Sequence, residues 1–141
     1  MKLALRSTAS DSATRWQRLQ AAVIRWRLCS QWCHGAVVVG DQLLQSTPAN
    51  GLCSTTSFDP SKWTLIDLGT AGDAQALTLF ASRKGAPYDW LGVLGFALPW
   101  VSGKKNSLYC FEWCALAIGA PAQRWMTPER LLAHIATQGA D

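Results

Sequence analysis

An apolar, β-branched run interrupted once by Gly-Asp constrains the fold of this chain more than any other feature. The run covers residues 34–39, Gly40 and Asp41 follow it, and residues 42–46 return to an extended pattern. A Gly-Asp pair between two such segments is typical of a tight turn joining antiparallel strands. The sequence therefore predicts a β-hairpin in the first third of the chain.

The remaining periodicities predict further strands and several helices. Weaker alternation predicts a short strand over residues 2–6 and another over 62–68, whereas the polar residues 47–61 predict turn and loop. Helices are predicted over residues 13–29, 72–84, 88–98, 127–137 and, within the apolar stretch 108–118, from Cys110 onward. Helices and antiparallel strands in mixed order indicate an α+β fold. At 141 residues, the chain is expected to form one domain, residues 1–141.

The first predicted helix combines arginine with tryptophan. Its apolar residues recur at helical spacing, at Trp16, Leu19, Val23 and Trp26, and its cations are Arg15, Arg18, Arg25 and Arg27. This pattern occurs on nucleic-acid-binding and membrane-surface helices, but we favour an ordinary amphipathic helix with the apolar stripe buried. Asp11 or Ser12 would cap its N-terminus.

The N-terminal residues lack the apolar core of a signal peptide, and no run is long enough to cross a bilayer. We therefore expect a protein that is cytoplasmic as made, without stable membrane insertion. Its five cysteines cannot all pair with one another, so free thiols are expected in a reducing compartment.

Cys110 is the cysteine best suited to chemistry. It follows a Lys/Asn loop and begins a predicted helix, where unpaired backbone N–H groups favour the reactive thiolate. Such a nucleophile needs a base, and only two histidines are present. His34 begins a strand that would hold its ring rigidly, whereas His134 lies within the last predicted helix. From the residues alone, either histidine could be purely structural.

Motifs spread over most of the chain resemble a known family. They are His34-Gly35-Ala36-Val37-Val38 with Gly40-Asp41, Gln45-Ser46-Thr47-Pro48-Ala49-Asn50-Gly51, Asp59-Pro60-Ser61-Lys62-Trp63, Gly85-Ala86-Pro87-Tyr88-Asp89-Trp90, Leu108-Tyr109-Cys110-Phe111-Glu112-Trp113 and Pro128-Glu129-Arg130-Leu131. In this order they resemble the circularly permuted NlpC-type cysteine peptidases, small papain-like enzymes of bacteria and phages. In that permuted group His precedes Cys in the chain, as here.

The resemblance implies a permuted papain-like fold, a small antiparallel sheet packed against helices, and a set of roles. Cys110 would be the nucleophile and His34 the general base and acid. Gln45, on the strand paired with that of His34, would orient the imidazole, with Ser46 as the alternative because only one of the two can face the site. Tyr88 would line the pocket beside the thiol.

Phe111 is the main departure from the family pattern, which has a small residue after the nucleophile. The aromatic ring would either narrow the substrate groove or pack beneath it, so Phe111 is a candidate substrate-binding residue together with Tyr88 and Ser46. No catalytic group is lost.

The resemblance also implies amide hydrolysis through a thioester, with no metal or organic cofactor. The expected partner is a peptide or peptidoglycan fragment rather than a nucleic acid; the oligomeric state is left open. A peptidoglycan substrate implies either release to the cell wall, as for a phage-encoded enzyme, or action on wall fragments within the cell.

Three alternatives stay open. Cys29, Cys33, Cys110 and Cys114 could bind zinc, although they lie in apolar helical stretches rather than on knuckle turns. The same fold also includes lipid amidases and acyltransferases resembling lecithin:retinol acyltransferase, for which residues 90–100 would form a lipid-facing lip. Finally, the chain could be a non-catalytic binding or phage-structural module.

Overall fold

Five antiparallel strands form the single sheet of the described structure. The computed structural model describes residues 1–8, 14–95, 98, 100–121 and 125–138. The strands are β1 (Lys2–Arg6), β2 (His34–Val39), β3 (Gln42–Thr47), β4 (Gly51–Thr55) and β5 (Thr64–Asp67), and their order in the sheet is β4-β3-β2-β1-β5. The fold is therefore α+β, as predicted.

The helices are α1 (Arg15–Leu28), α2 (Asp73–Arg83), α3 (Trp90–Gly95), α4 (Cys110–Ala117) and α5 (Pro128–Gln138), with a 3₁₀ turn at Pro60–Lys62 before β5. Helix α4 packs against β2 and β3 and also contacts α2 and α5. It therefore lies at the centre of the helical layer.

The predicted hairpin is confirmed. β2 pairs with β3 in a register that places Val39 opposite Gln42, so only Gly40 and Asp41 form the turn. Gly40 has a φ of 60°, a conformation that glycine adopts at little cost. This register also fixes which side chains of the two strands share a face.

The two faces of the sheet bury different clusters. Against α4 and α2 lie the side chains of Leu3, Leu5, Val37, Val39, Leu44 and Leu52, together with the fully buried Trp113. The other face holds a smaller cluster, Ala4, Ala36, Val38 and Leu43, which Phe58 and Trp63 cover. The side chains of each strand alternate between the two clusters, as a sheet covered on both faces requires.

The sequence missed β4. Residues 51–55 were predicted as loop because of their polar composition, but they pair with β3 from Leu43↔Thr55 to Thr47↔Gly51. The physical reason is position: β4 is an edge strand of the sheet, where polar side chains face solvent without cost.

The prediction that the apolar residues of α1 are buried is wrong for those whose side chains the structure describes. Leu19 is 53% exposed and Trp26 is 76% exposed. The side chains of Trp16 and Val23, the proposed caps Asp11 and Ser12, and residues 96–97 of the third predicted helix lie outside what the structure describes.

Candidate functional site

Cys110 is the first residue of α4, at the position predicted for a helix N-terminus. The preceding residue, Tyr109, is extended, with φ −90° and ψ 170°. The backbone N–H groups of Phe111 and, on β2, Gly35 lie near the Cys110 sulfur and lower the pKa of its thiol. The Tyr88 hydroxyl lies near the same side chain. Cys110 thus lies among donors that would stabilise a negative charge on sulfur.

Burial nevertheless dominates the protonation of this thiol. Cys110 is 3% exposed. Removal from water raises the pKa of Cys110 to about 12, although the amide hydrogen bonds from Gly35 and Phe111 lower it. The resting sulfur at neutral pH is therefore a thiol, and a base is required to activate it.

His34 and Gln45 form the second part of the site. Nε2 of His34 lies 2.9 Å from Oε1 of Gln45. An amide oxygen only accepts hydrogen bonds, so this contact places the ring proton on Nε2 and leaves Nδ1 with a free lone pair. Burial lowers the pKa of His34, the hydrogen bond to Gln45 raises it, and the nearby Arg6 charge lowers it. The imidazole is neutral at neutral pH, which is the form that accepts a proton.

Gly35 lies between the two parts of the site, which are on opposite faces of β2. A Cβ atom built on Gly35 would lie 2.9 Å from carbons of the Phe111 ring and 3.1 Å from the Cys114 sulfur, so this position faces α4. Because side chains alternate along β2, the Cβ of His34 begins on the opposite face, where the ring centroid lies 5.7 Å from that of Trp63. The structure therefore brings Cys110 close to the residue next to His34 but does not bring the His34 ring and the Cys110 sulfur into contact.

Because side chains also alternate along β3, Gln45 and Ser46 face opposite sides of the sheet. The Ser46 hydroxyl is buried and donates to the carbonyl oxygen of Leu108 at 2.6 Å. Leu108 is two residues before Cys110. Gln45 is the neighbour that contacts the His34 ring. Ser46 thus holds the loop before the candidate nucleophile, and Gln45 holds the candidate base.

Phe111 packs beneath the sheet. Its side chain is 1% exposed and lies against Gly35. Of the two alternatives for this ring, the geometry favours packing over narrowing a groove. Only glycine at position 35 allows the ring this close to β2, and a glycine inside an apolar strand was the sequence signal for such an approach.

Two carboxyl groups lie near the start of α4. Asp89 is 2% exposed, and its Oδ1 accepts the Gly92 N–H at 3.0 Å, so it caps α3. Glu112 accepts the Tyr109 N–H at 3.3 Å. Burial raises the pKa of Glu112 to about 7, the Tyr109 hydrogen bond lowers it, and the neighbouring Asp89 raises it. The sequence did not predict this shift, because it depends on how α4 is buried.

A cleft of about 400 Å³ runs beside this end of α4. Its lining includes Asp89, Lys104, Lys105, Leu108 and Glu112. The cleft reaches Leu108 and Glu112, on either side of Cys110 in the sequence, but its lining includes neither Cys110 nor His34.

The cysteines do not form a metal centre in the part of the chain that the structure describes. All five are free, with Cys29 exposed and Cys33, Cys110 and Cys114 buried. Over the described ranges, no group of three or more His, Cys, Asp or Glu side chains is arranged to hold a metal ion. The zinc alternative therefore gains no support from the geometry.

Comparison with models of known protein families, with curated proteins and with solved structures finds no match to this chain. Among the described residues, none of the helices combines the length and the apolar character that crossing a bilayer requires.

Proposed function

We propose that this chain is a cysteine hydrolase of the permuted NlpC type that cleaves amide bonds, with Cys110 as nucleophile and His34 as base. The observation that carries the proposal is the proximity of Cys110 to β2 at Gly35, the residue that follows an imidazole oriented by Gln45. Thiol-dependent acyl transfer uses a thiol at a helix N-terminus together with an oriented imidazole.

The proposed reaction has two halves. Nδ1 of His34 takes the proton of the Cys110 thiol as the sulfur attacks the substrate carbonyl, a step that requires the ring to turn from its face of β2 toward α4. The imidazolium then gives that proton to the departing amine. The resulting thioester is hydrolysed when His34 takes a proton from water and the hydroxide displaces the sulfur. The thiol is thereby regenerated and a carboxylic acid is released.

Two kinds of hydrogen-bond donor would stabilise the negative charge that develops on the substrate oxygen during the reaction. We expect the backbone N–H of Cys110, at the start of α4, to donate to the oxyanion, with the Tyr88 hydroxyl near the sulfur as a further donor. Because the site is buried, these dipoles would act in a medium of low dielectric constant, where they are strongest.

Peptides of bacterial peptidoglycan are the substrate class we propose, cleaved either at the cell wall or as fragments within the cell. The test is amine release from such fragments by the unmodified protein and by matched variants. Cys110→Ala and His34→Gln should each lower the rate at least about 10³-fold. Cys114→Ala, on the same helix, and His134→Gln, on α5, should leave it unchanged. Equal rates for Cys110→Ala and the unmodified protein would refute the proposal.

A lipid amide is the second candidate substrate, because several large apolar side chains are exposed just after Asp89. Trp90, Leu91, Leu94 and Trp100 are 45%, 38%, 44% and 78% exposed. The same assay with a long-chain fatty acyl amide separates the two substrate classes. Cys110-dependent turnover of the fatty amide, without turnover of wall peptides, would favour the lipid amide.

A further inference from the structure

Helix α1 exposes apolar and basic side chains on the same surface. Arg15, Leu19, Ala22 and Trp26 recur at spacings of four, three and four residues, and all four are exposed. At 3.6 residues per turn, they form one stripe along the helix. Arg18 and Arg25, also exposed, flank this stripe. We call these six residues the α1 stripe.

All charged residues of α1 are positively charged. The helix contains four arginines and no acidic residue, and its charge equals the formal net charge of +4 of the whole chain. The rest of the chain is therefore formally neutral. A cationic helix on an otherwise neutral protein is attracted to a negatively charged surface.

We infer that the α1 stripe lies on an anionic lipid bilayer, parallel to its plane, with Leu19 and Trp26 among the acyl chains below the headgroups and Arg15, Arg18 and Arg25 against lipid phosphates. Basic amphipathic helices with Trp and Leu on the inserted face bind bilayers in this way. This surface is independent of the proposed catalytic site.

A nucleic acid would explain the arginines but not the apolar residues between them. Phosphate backbones are held by cations and hydrogen bonds, and an exposed leucine next to a phosphate gains little. A bilayer interacts favourably with both kinds of side chain, because the apolar side chains leave water and each cation is attracted to the anionic surface. The mixture of Leu19 and Trp26 with arginine therefore favours the lipid surface.

The experiment is co-sedimentation of the full chain with phosphatidylcholine vesicles that either contain or lack phosphatidylglycerol. We expect binding only to the anionic vesicles and weaker binding as salt is raised. Trp26→Ser should lower the partition coefficient about tenfold, and Arg15→Gln on the order of fivefold. Circular dichroism checks that the variants are folded.

Leu77→Ser is the matched control for Leu19→Ser. Leu77, on α2, is 41% exposed and Leu19 is 53% exposed. Leu19→Ser should weaken binding to anionic vesicles, whereas Leu77→Ser should bind them like the unmodified protein. The inference is overturned by equal binding to both vesicle types, by loss of binding in Leu77→Ser but not in Leu19→Ser, or by Arg15-dependent binding to a polynucleotide without binding to vesicles.

Discussion

Nε2 of His34 lies 2.9 Å from Oε1 of Gln45, across the β2–β3 hairpin. The register pairs Gln45 with Ala36, so the two polar side chains share a face and meet diagonally. This contact selects one tautomer of the ring. Burial lowers the pKa of His34, and the hydrogen bond to Gln45 partly offsets this by raising it.

Replacing Gln45 tests that relationship. In Gln45→Ala the ring loses its partner, so we expect kcat to fall about tenfold. The acidic limb of the pH–rate profile should also move to lower pH, because the removed hydrogen bond had raised the pKa of His34. The shift of the limb distinguishes positioning of the base from general damage to the fold.

Gln42→Ala is the control for this variant, since Gln42 is exposed on the same strand. It should leave both the rate and the pH profile unchanged. NMR titration of the His34 ring gives the same pKa shift without reference to activity. An unchanged His34 titration in Gln45→Ala would contradict the role assigned to the hydrogen bond.

Local signals were sufficient for much of the fold. The Gly40-Asp41 turn predicted the hairpin, and the start of α4 at Cys110 and the Thr127-Pro128 start of α5 were also predicted. These features depend on residues close together in the sequence, where turn and capping preferences act.

The features that could not be predicted from the sequence depend on tertiary packing. β4 was missed because its pairing with β3, rather than its own composition, makes it a strand. Helical spacing placed Leu19 and Trp26 on one face of α1 but could not decide whether that face is covered. The choice of Gln45 over Ser46 required the β2–β3 register, and the elevated pKa of Glu112 required the burial of α4.

Gly35 should tolerate no side chain. In Gly35→Ala the new methyl group would lie 2.9 Å from the Phe111 ring and 3.1 Å from the Cys114 sulfur, so the helix or the strand must shift. We expect the free energy of unfolding to fall by about 1–3 kcal/mol, measured by urea denaturation.

A second substitution at the contact provides the internal control. Phe111→Leu removes the ring, so the double variant Gly35→Ala/Phe111→Leu should lose less stability than the sum of the two single variants. Additive losses would show that Gly35 and Phe111 do not contact each other as described.

Glu112 should make stability depend on pH. The pKa of Glu112 is raised from 4.5 to about 7, so the folded state holds a proton that the unfolded state has released between these values. Its contribution to the free energy of unfolding is complete below pH 4.5 and is lost as pH rises through 7. His34 acts oppositely: its pKa is lowered, so its contribution is present above pH 6.5 and is lost on acidification.

Glu112→Gln separates the two effects. Glutamine retains an oxygen that can accept the Tyr109 N–H but does not titrate, so the variant should gain stability relative to the unmodified protein as pH rises from 4.5 to 8. Urea midpoints at several pH values measure this difference. A difference that stays constant with pH would show that the carboxyl is not desolvated in the folded protein.

Alkylation with iodoacetamide should rank the cysteines by exposure rather than by catalytic role. Cys29 is exposed, whereas burial raises the pKa of both Cys110 and Cys114. At pH 7 we expect Cys29 to be modified first, as judged by mass spectrometry of peptides, and Cys110 to react slowly, because the thiolate is the reacting form. In His34→Gln the alkylation of Cys110 should be slower still, since no imidazole is then available to take the thiol proton, whereas Cys29 should react at its original rate. Equal Cys110 rates with and without His34 would mean that the ring does not exchange a proton with this sulfur.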